Sequence, residues 1–478
     1  MTSYLPTAVT QPLARGVDML RGTLGGMSWG PALSVSKAAV TSLLNKIEIG
    51  QLVIVDETTG QTTTYGQKIA KEHSKTTNGV NGVNGATKRT GAARKAELVV
   101  KREAFWMRLF LFADMGFAEA YMLGDFECDD LTTFFEIFIL NRSQLANATT
   151  LTSSIAATIT GLARSTNTLS NSLLNVSAHY DISNEMFAAF LSEDMTYSCP
   201  IWKPVSSADE DEETLEAAQM TKLNRFIDGA HIKPTDHVLE IGTGWGSFAI
   251  EAVKKTGCRV TSMTLSIEQK ALAEKRIAAA GFTDKIEVLL MDYRALPTPK
   301  VLYDKIISIE MLEAVGAEYL ETYFSCIHRL LKKDGIAVFQ CITMPEGRYE
   351  AYAKGEDFIR KYIFPGGHLP SISQLVEKIS KGSEGTLVVE TIENIGGHYA
   401  KTLRLWREDF VKNFDSRIRP ALMNEHDDMG EKEVEVFRRK WIYYFVYCEA
   451  GFATKTLGDA IITVGREGAM ELMEGIPL

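Results

Sequence analysis

The stretch Val238-Leu239-Glu240-Ile241-Gly242-Thr243-Gly244-Trp245-Gly246 constrains this chain more than any other. Val238 to Ile241 is a short apolar run of strand character that ends in three glycines at alternate positions. The residues from Ser247 to Val253 follow with apolar side chains at helical spacing. Strand, glycine-rich turn and helix together make the opening βα unit of a nucleotide-binding sheet. The glycines let the backbone turn tightly and approach a ligand with no Cβ in the way.

What flanks the glycines narrows the nucleotide. The order E-x-G-x-G-x-G departs from the dinucleotide fingerprint G-x-G-x-x-G, and no G-K-[ST] follows for a triphosphate. An acid two places before the first glycine, Glu240, suits a ligand with an amino group and a sulfonium. The stretch resembles motif I of the S-adenosylmethionine (SAM) methyltransferases. Three glycines alone would fit a plain αβ turn; their place between strand and helix is what supports the resemblance.

After Pro234 the pattern alternates regularly. Strands are expected at 237–241, 258–264, 285–290, 304–309, 335–342 and 386–392, with helices at 247–255, 267–280, 317–332 and 371–380. Such alternation implies an α/β fold, a mostly parallel sheet with helices on both faces and ligands at the carboxyl ends of its strands. Residues 401–478 read as helical, with Trp406, Phe410, Phe437, Trp441, Tyr444 and Phe445 forming an apolar face that serves as core or meets lipid.

The 478 residues allow two or three domains, and the net charge of -10 argues against a nucleic-acid binder. The six cysteines show no C-x-x-C pair or zinc spacing, which fits free thiols in a reducing compartment. No metal site is expected. No secretory signal is expected at the N-terminus, and no apolar run approaches the roughly 18 residues needed to cross a bilayer. Residues 1–35 read as a flexible arm and 36–145 as a small α+β domain expected to contact lipid or a membrane. Within it, 47–55 and 62–65 form a hairpin, 98–101 is strand, and the Asn-Gly-Val-rich stretch 75–94 is a disordered insertion. Residues 146–177 read as a helical connector and 178–478 as the catalytic domain. The acidic run Asp209 to Glu213 is a solvated turn or a helix start.

At the second strand end, Thr264, Ser266 and Gln269 are placed to meet a ribose. At the third, Asp292 is expected against the adenine amino group, with Tyr293 beside it. At the fourth, the segment Ser308-Ile309-Glu310-Met311-Leu312-Glu313-Ala314-Val315-Gly316 closes the site, with Ile309 against the cofactor. These spacings resemble the cyclopropane-fatty-acid synthase family, which includes the mycolic acid methyltransferases. Three further pieces carry the resemblance: His179-Tyr180-Asp181, Tyr197-Ser198-Cys199-Pro200-Ile201-Trp202, and Lys361-Tyr362-Ile363-Phe364-Pro365-Gly366-Gly367-His368-Leu369-Pro370. It runs from about 178 to 455, and less sharply through Gly116-Phe117-Ala118-Glu119-Ala120-Tyr121.

The resemblance implies a Rossmann-like SAM-dependent methyltransferase fold and transfer of a methylene group to a double bond in a phospholipid acyl chain. The alkene attacks the sulfonium methyl, a cation forms on the chain, and loss of a proton from the added methyl closes a cyclopropane. Such chemistry needs a pocket poor in water and a base near the new methyl. By resemblance that base is a bound bicarbonate held by Cys199, Glu313, the Ile342 amide and Tyr399, with Tyr197 and Ser198 beside the cofactor. The enzyme would work in the cytoplasm, peripherally on a membrane surface, with a homodimer left open.

Two residues depart from the bacterial pattern: Ala314 and Gln340 stand where histidines are common. Gln340 can donate to an anion but takes up no proton near neutral pH. Glu310 and Glu313, three apart, form either a surface pair or, for Glu313, a functional carboxylate after a buried strand. His368 serves either the Pro365–Pro370 turn or the acyl pocket, and His179 is given no catalytic role. Three other functions remain open: a methyl-branched or methylene lipid product, methylation of a sphingolipid or specialised metabolite, and a catalytically dead lipid-binding scaffold.

Overall fold

A computed structural model of the chain describes residues 30–67, 94–146, 183–204, 213–426 and 429–477. The expected arm up to residue 29, residues 75–93 of the insertion, the connector from 147 and the His179-Tyr180-Asp181 piece lie outside these. The chain divides into two compact units: residues Met1–Ser177 with Glu435–Arg439, and Ala178–Val434 with Lys440–Leu478.

In the first unit, strands β1 (Gln51–Asp56), β2 (Gln61–Gly66), β3 (Lys95–Val100) and β4 (Phe126–Cys128) form a sheet in the order β2-β1-β3-β4. β1 pairs antiparallel with β2 and parallel with β3. The first strand starts at Gln51 rather than Ile47, because Gly50 turns at φ +84 and leaves 47–50 outside the ladder. A helix at Gly30–Leu44 begins inside the stretch expected as an arm and buries Ser36, Val40 and Leu44. The helix Ala104–Met122 is broken at Ala113, whose φ is +48, and both halves feed one aromatic cluster, Phe105 and Phe117 each packing on Phe126. Phe117 stacks on Phe134 at 4.6 Å in the aromatic core of this unit.

The second unit is built on a seven-stranded sheet. Its strands are β5 (His237–Ile241), β6 (Arg259–Thr264), β7 (Ile286–Leu290), β8 (Tyr303–Ile309), β9 (Leu331–Thr343), β10 (Leu387–Asn394) and β11 (Gly458–Arg466), in the order β10-β11-β9-β8-β5-β6-β7. The pairs β5–β6, β5–β8, β6–β7 and β8–β9 are parallel. β11 runs antiparallel to both its neighbours. Central β5 is buried from Val238 to Ile241, as a strand covered on both faces must be. Helix starts are set locally. Thr214, Ser266 and Ser371 each accept a backbone N–H from the first turn of the helix they cap.

β11 corrects the reading of 401–478 as wholly helical. Its β-branched run Ile461-Ile462-Thr463-Val464 fills the slot between β9 and β10, where both faces are covered. The aromatics ahead of it are core: Trp406, Phe410, Trp441 and Phe445 are fully buried and Tyr444 nearly so.

Candidate active site

The glycine loop is tied down from below. The amides of Gly242 and Thr243 both donate to the Met263 carbonyl at 3.0 Å, and the Trp245 indole donates to Asn184 Oδ1 at 2.7 Å. All three glycines take positive φ: +102 at Gly242, +51 at Gly244 and +87 at Gly246. They differ in what surrounds them. A Cβ on Gly242 would lie 2.3 Å from Met311 Cγ, whereas one on Gly244 would enter open space. Gly244 therefore faces open space, and Gly242 is packed against the loop after β8.

Glu240 lies beneath the loop and is 3% exposed, with Ser262 Oγ bonded to its carboxyl. Burial pushes this carboxyl up to about 8, against the opposing pull of Ser262 and Lys222. Thr264, Ser266 and Gln269 form one turn. Thr264 Oγ1 donates to Gln269 Oε1 at 2.8 Å, and Ser266 Oγ accepts the Gln269 amide at 3.1 Å. Asp292 is held by its own turn: Arg294 donates to both carboxylate oxygens, at 2.9 Å from Nε to Oδ1 and 2.6 Å from NH2 to Oδ2. The Arg294 hydrogen bonds keep this carboxyl below its ordinary range. An adenine amino group would have to share it. Tyr293 and Tyr319 both lie within 6 Å of the same guanidinium, at 5.8 and 5.6 Å. Ile309 is half-buried at the end of β8.

Beyond β8 and β9 the structure gathers an acid cluster that the sequence reading only half anticipated. Glu310 is no surface residue. Its Oε1 accepts the Cys199 amide at 2.8 Å and Gln340 Nε2 at 2.7 Å, and its Oε2 accepts the Tyr399 hydroxyl at 2.7 Å. Gln340 Nε2 also donates to Asp459 Oδ2 at 2.8 Å. Glu313 accepts the Ile342 amide through Oε1, while its buried Oε2 has no partner. Burial, then repulsion from Glu310, pushes Glu313 up to about 8. Burial likewise raises Glu310 and Asp459. Gln340, Cys199 and Asp459 are sealed at 0% exposure, whereas Glu310, Glu313 and Ile342 are half-buried.

Cys199 contributes its backbone. Its Sγ points to the carbonyls of Pro200 and Ile395, at 3.5 and 3.7 Å, and burial pushes the thiol well above its ordinary range. Ser198 accepts from the buried Lys222 ammonium at 2.6 Å, and Tyr197 pairs hydroxyls with Tyr444 at 2.8 Å. His368 is 7% exposed. Its amide donates to the Glu313 carbonyl at 2.8 Å and its ring meets the Tyr349 hydroxyl at 3.1 Å, so it braces the loop that carries Glu313.

Three members of the cluster escaped the sequence reading: Glu310, Asp459 and Lys222. For Asp459 the available signal was an acid opening the β-branched run of β11. For Lys222 it was a lysine on the face of the helix Leu215–Gly229 that also buries Ala218, Leu223 and Phe226.

The fold and the left-handed glycine cradle, open above Gly244, define a SAM-dependent methyltransferase. Coclaurine N-methyltransferase shares the fold at 21% identity, with a TM-score of 0.55 over 74% of this chain and 99% of that one. A mycolic acid cyclopropane synthase complexed with SAH and CTAB superposes with a TM-score of 0.51 at 29% identity, over 62% of this chain and 98% of that one. A tuberculostearic acid methyltransferase of Mycobacterium tuberculosis is 37% identical over 79% of this chain and 86% of its own length. The cyclopropane-fatty-acyl-phospholipid synthase of Escherichia coli is 32% identical over 76% and 86%. The model of the mycolic acid cyclopropane synthetase family matches residues 167–459. This chain belongs to that family.

Proposed function

We propose that this enzyme adds a one-carbon unit from SAM to the double bond of an unsaturated acyl chain of a phospholipid and closes a cyclopropane. One observation carries the reading. Met311 packs on Gly242 of the cofactor loop and stands between Glu310 and Glu313, so the carboxylates lie beside the loop that would hold the methyl donor. SAM, when bound, supplies an electrophilic methyl group. Glu313, with an unpartnered oxygen, and Glu310 are the proton acceptors at hand, and the sealed residues behind them keep water from the cation.

The relative named for tuberculostearic acid supports a second outcome, in which a hydride shift and proton loss leave a methylene-branched chain that reduction elsewhere would convert to a methyl branch. We assign the enzyme to the cytoplasmic side of a membrane, visited peripherally. Among the described residues no helix is long and apolar enough to cross one. The half-buried run Leu109-Phe110-Leu111-Phe112 of the first unit is the surface we assign to lipid.

The test is incubation with methyl-labelled SAM and vesicles of monounsaturated phospholipid, followed by mass spectrometry of the acyl chains. A gain of CH2 that resists hydrogenation means cyclopropane. A gain that hydrogenates further means the branched product. No label in lipid, with SAM still bound, rejects both.

A further inference from the structure

The family resemblance assigns the proton to a bicarbonate held by Cys199, Glu313, the Ile342 amide and Tyr399. In this chain those donors are already engaged. The Cys199 amide and the Tyr399 hydroxyl both serve the Glu310 carboxylate, joined by the Gln340 amide, and the Ile342 amide serves Glu313. A carboxylate offers the same two-oxygen anionic face as bicarbonate, and the Cys199 amide and Tyr399 hydroxyl each have a single proton to donate, already given to Glu310. A dissolved bicarbonate therefore does not fit the set as it stands.

The backbone points the same way. Glu310 sits at φ +49, a left-handed conformation that a residue with a Cβ adopts at a cost and glycine adopts freely. Strain of this kind persists where the surroundings over-determine the residue, and here three donors converge on its side chain. That left-handed turn carries the carboxylate back under the ends of β8 and β9, where the Glu310 amide also donates to the Gln340 carbonyl at 2.9 Å. Gln340, standing where a histidine is common, completes the exchange: it can donate to a fixed carboxylate and is never required to take a proton itself.

We propose that Glu310 is the built-in base of this enzyme, its carboxylate standing where the resemblance places bicarbonate, so that turnover needs no dissolved anion. This rests on the acyl-chain reading above. The step balances without a co-reactant. As the added methyl loses a proton to a Glu310 oxygen, the C–H electron pair closes the ring, or, where a hydride has first shifted to the cationic carbon, forms the methylene double bond; the chain cation is neutralised and Glu310 becomes a carboxylic acid. After product leaves, the proton passes to water and the carboxylate is restored.

Two readouts test this. In the first, label transfer from SAM to monounsaturated phospholipid is followed in CO2-free buffer and with added bicarbonate. Wild-type turnover should be the same in both. Glu310→Gln should lose about 10²–10⁴-fold, the usual worth of a general base, while still binding SAM. Turnover that collapses without bicarbonate, or a Glu310→Gln protein as active as wild type, overturns the proposal. The second readout needs no lipid: the line width of 13C-bicarbonate is measured against each protein. The wild type should leave the line unchanged and Glu310→Gly, which empties the donor set, should broaden it. Broadening by the wild type that Glu313→Gln abolishes overturns the proposal, even if the lipid substrate proves to be wrong. An absence of lipid product from the wild type in both buffers condemns the substrate reading alone.

Discussion

Gly242 and Gly244 belong to one motif yet should fail in different ways when given a methyl group. Alanine at either must take a positive φ, which costs roughly 1–2 kcal/mol. At Gly244 the new Cβ meets nothing, so that strain is the whole cost to the fold, about 2–8 °C in Tm. At Gly242 the Cβ lands 2.3 Å from Met311 Cγ and 2.8 Å from its Sδ. Swinging only the tip of the methionine does not relieve the closer contact, so Met311 must turn about its first side-chain bond. Overpacking of this sort adds about 1–3 kcal/mol, for a total of about 2–5 kcal/mol. In a unit of this size that is about 4–20 °C. Because Met311 lies between Glu310 and Glu313, the displacement should also reach the acid cluster. Thermal unfolding without ligand, SAM titration calorimetry and lipid labelling separate the effects. Gly242→Ala should lose stability and turnover together, whereas Gly244→Ala should lose chiefly SAM affinity. Met311→Ala in the Gly242→Ala background should recover part of the stability, since neighbouring substitutions couple. A Gly242→Ala protein no less stable than Gly244→Ala would refute the packing argument.

Other perturbations follow from the same geometry. Cys199→Ala keeps the backbone amide that Glu310 uses, so turnover should fall by less than about tenfold; a loss comparable to that of Glu310→Gln, on the order of 10²-fold, would return the role to the thiol. Iodoacetamide at pH 8 should leave Cys199 of the folded protein unmodified by mass spectrometry, because burial keeps its thiol protonated. Glu313→Gln should bind SAM normally and lose product formation sharply, by about 10²-fold or more, and unchanged turnover would remove Glu313 from the mechanism. Glu240 is raised from the usual 4.5 to about 8, so the folded state holds its proton through that window and its contribution to stability falls as pH rises. Denaturant midpoints from pH 5 to 8 should show Glu240→Gln gaining on the wild type by up to about 1.4 kcal/mol per pH unit; a constant difference would show that Glu240 is charged in the fold.

The parallel half of the sheet was legible because its strands are apolar runs punctuated by glycine and capped helices. Observed β5 spans the expected residues 237–241, and β6, β7 and β8 match theirs within a residue. β11 was not, since nine residues of strand follow a 23-residue helix, Glu431–Ala453, whose aromatic spacing dominates that part of the chain. Site residues divide in the same way. Cys199, Glu313, Gln340, Ile342 and Tyr399 could be placed because short motifs carry them, and the structure brings them together. Glu310 could not, because its role depends on a left-handed turn, and three-residue spacing to Glu313 looks the same on a helix surface. For Cys199 a sequence names only the side chain, whereas the structure shows its peptide amide making the contact to Glu310.

The reversed strand Gly458–Arg466 has a consequence for how the enzyme comes into being. It is inserted between two strands that leave the ribosome before it, and it carries Asp459, one of the two carboxylates to which Gln340 donates. Until it is threaded in, β9 and β10 each present an unpaired edge, the kind of surface that recruits other chains. The pairings it makes are among the most distant in sequence for this sheet, which places them late in folding. A nascent chain can therefore assemble the cofactor loop, β5 through β8, while the acid cluster is still unfinished, so the ability to hold a methyl donor would precede the ability to finish the reaction.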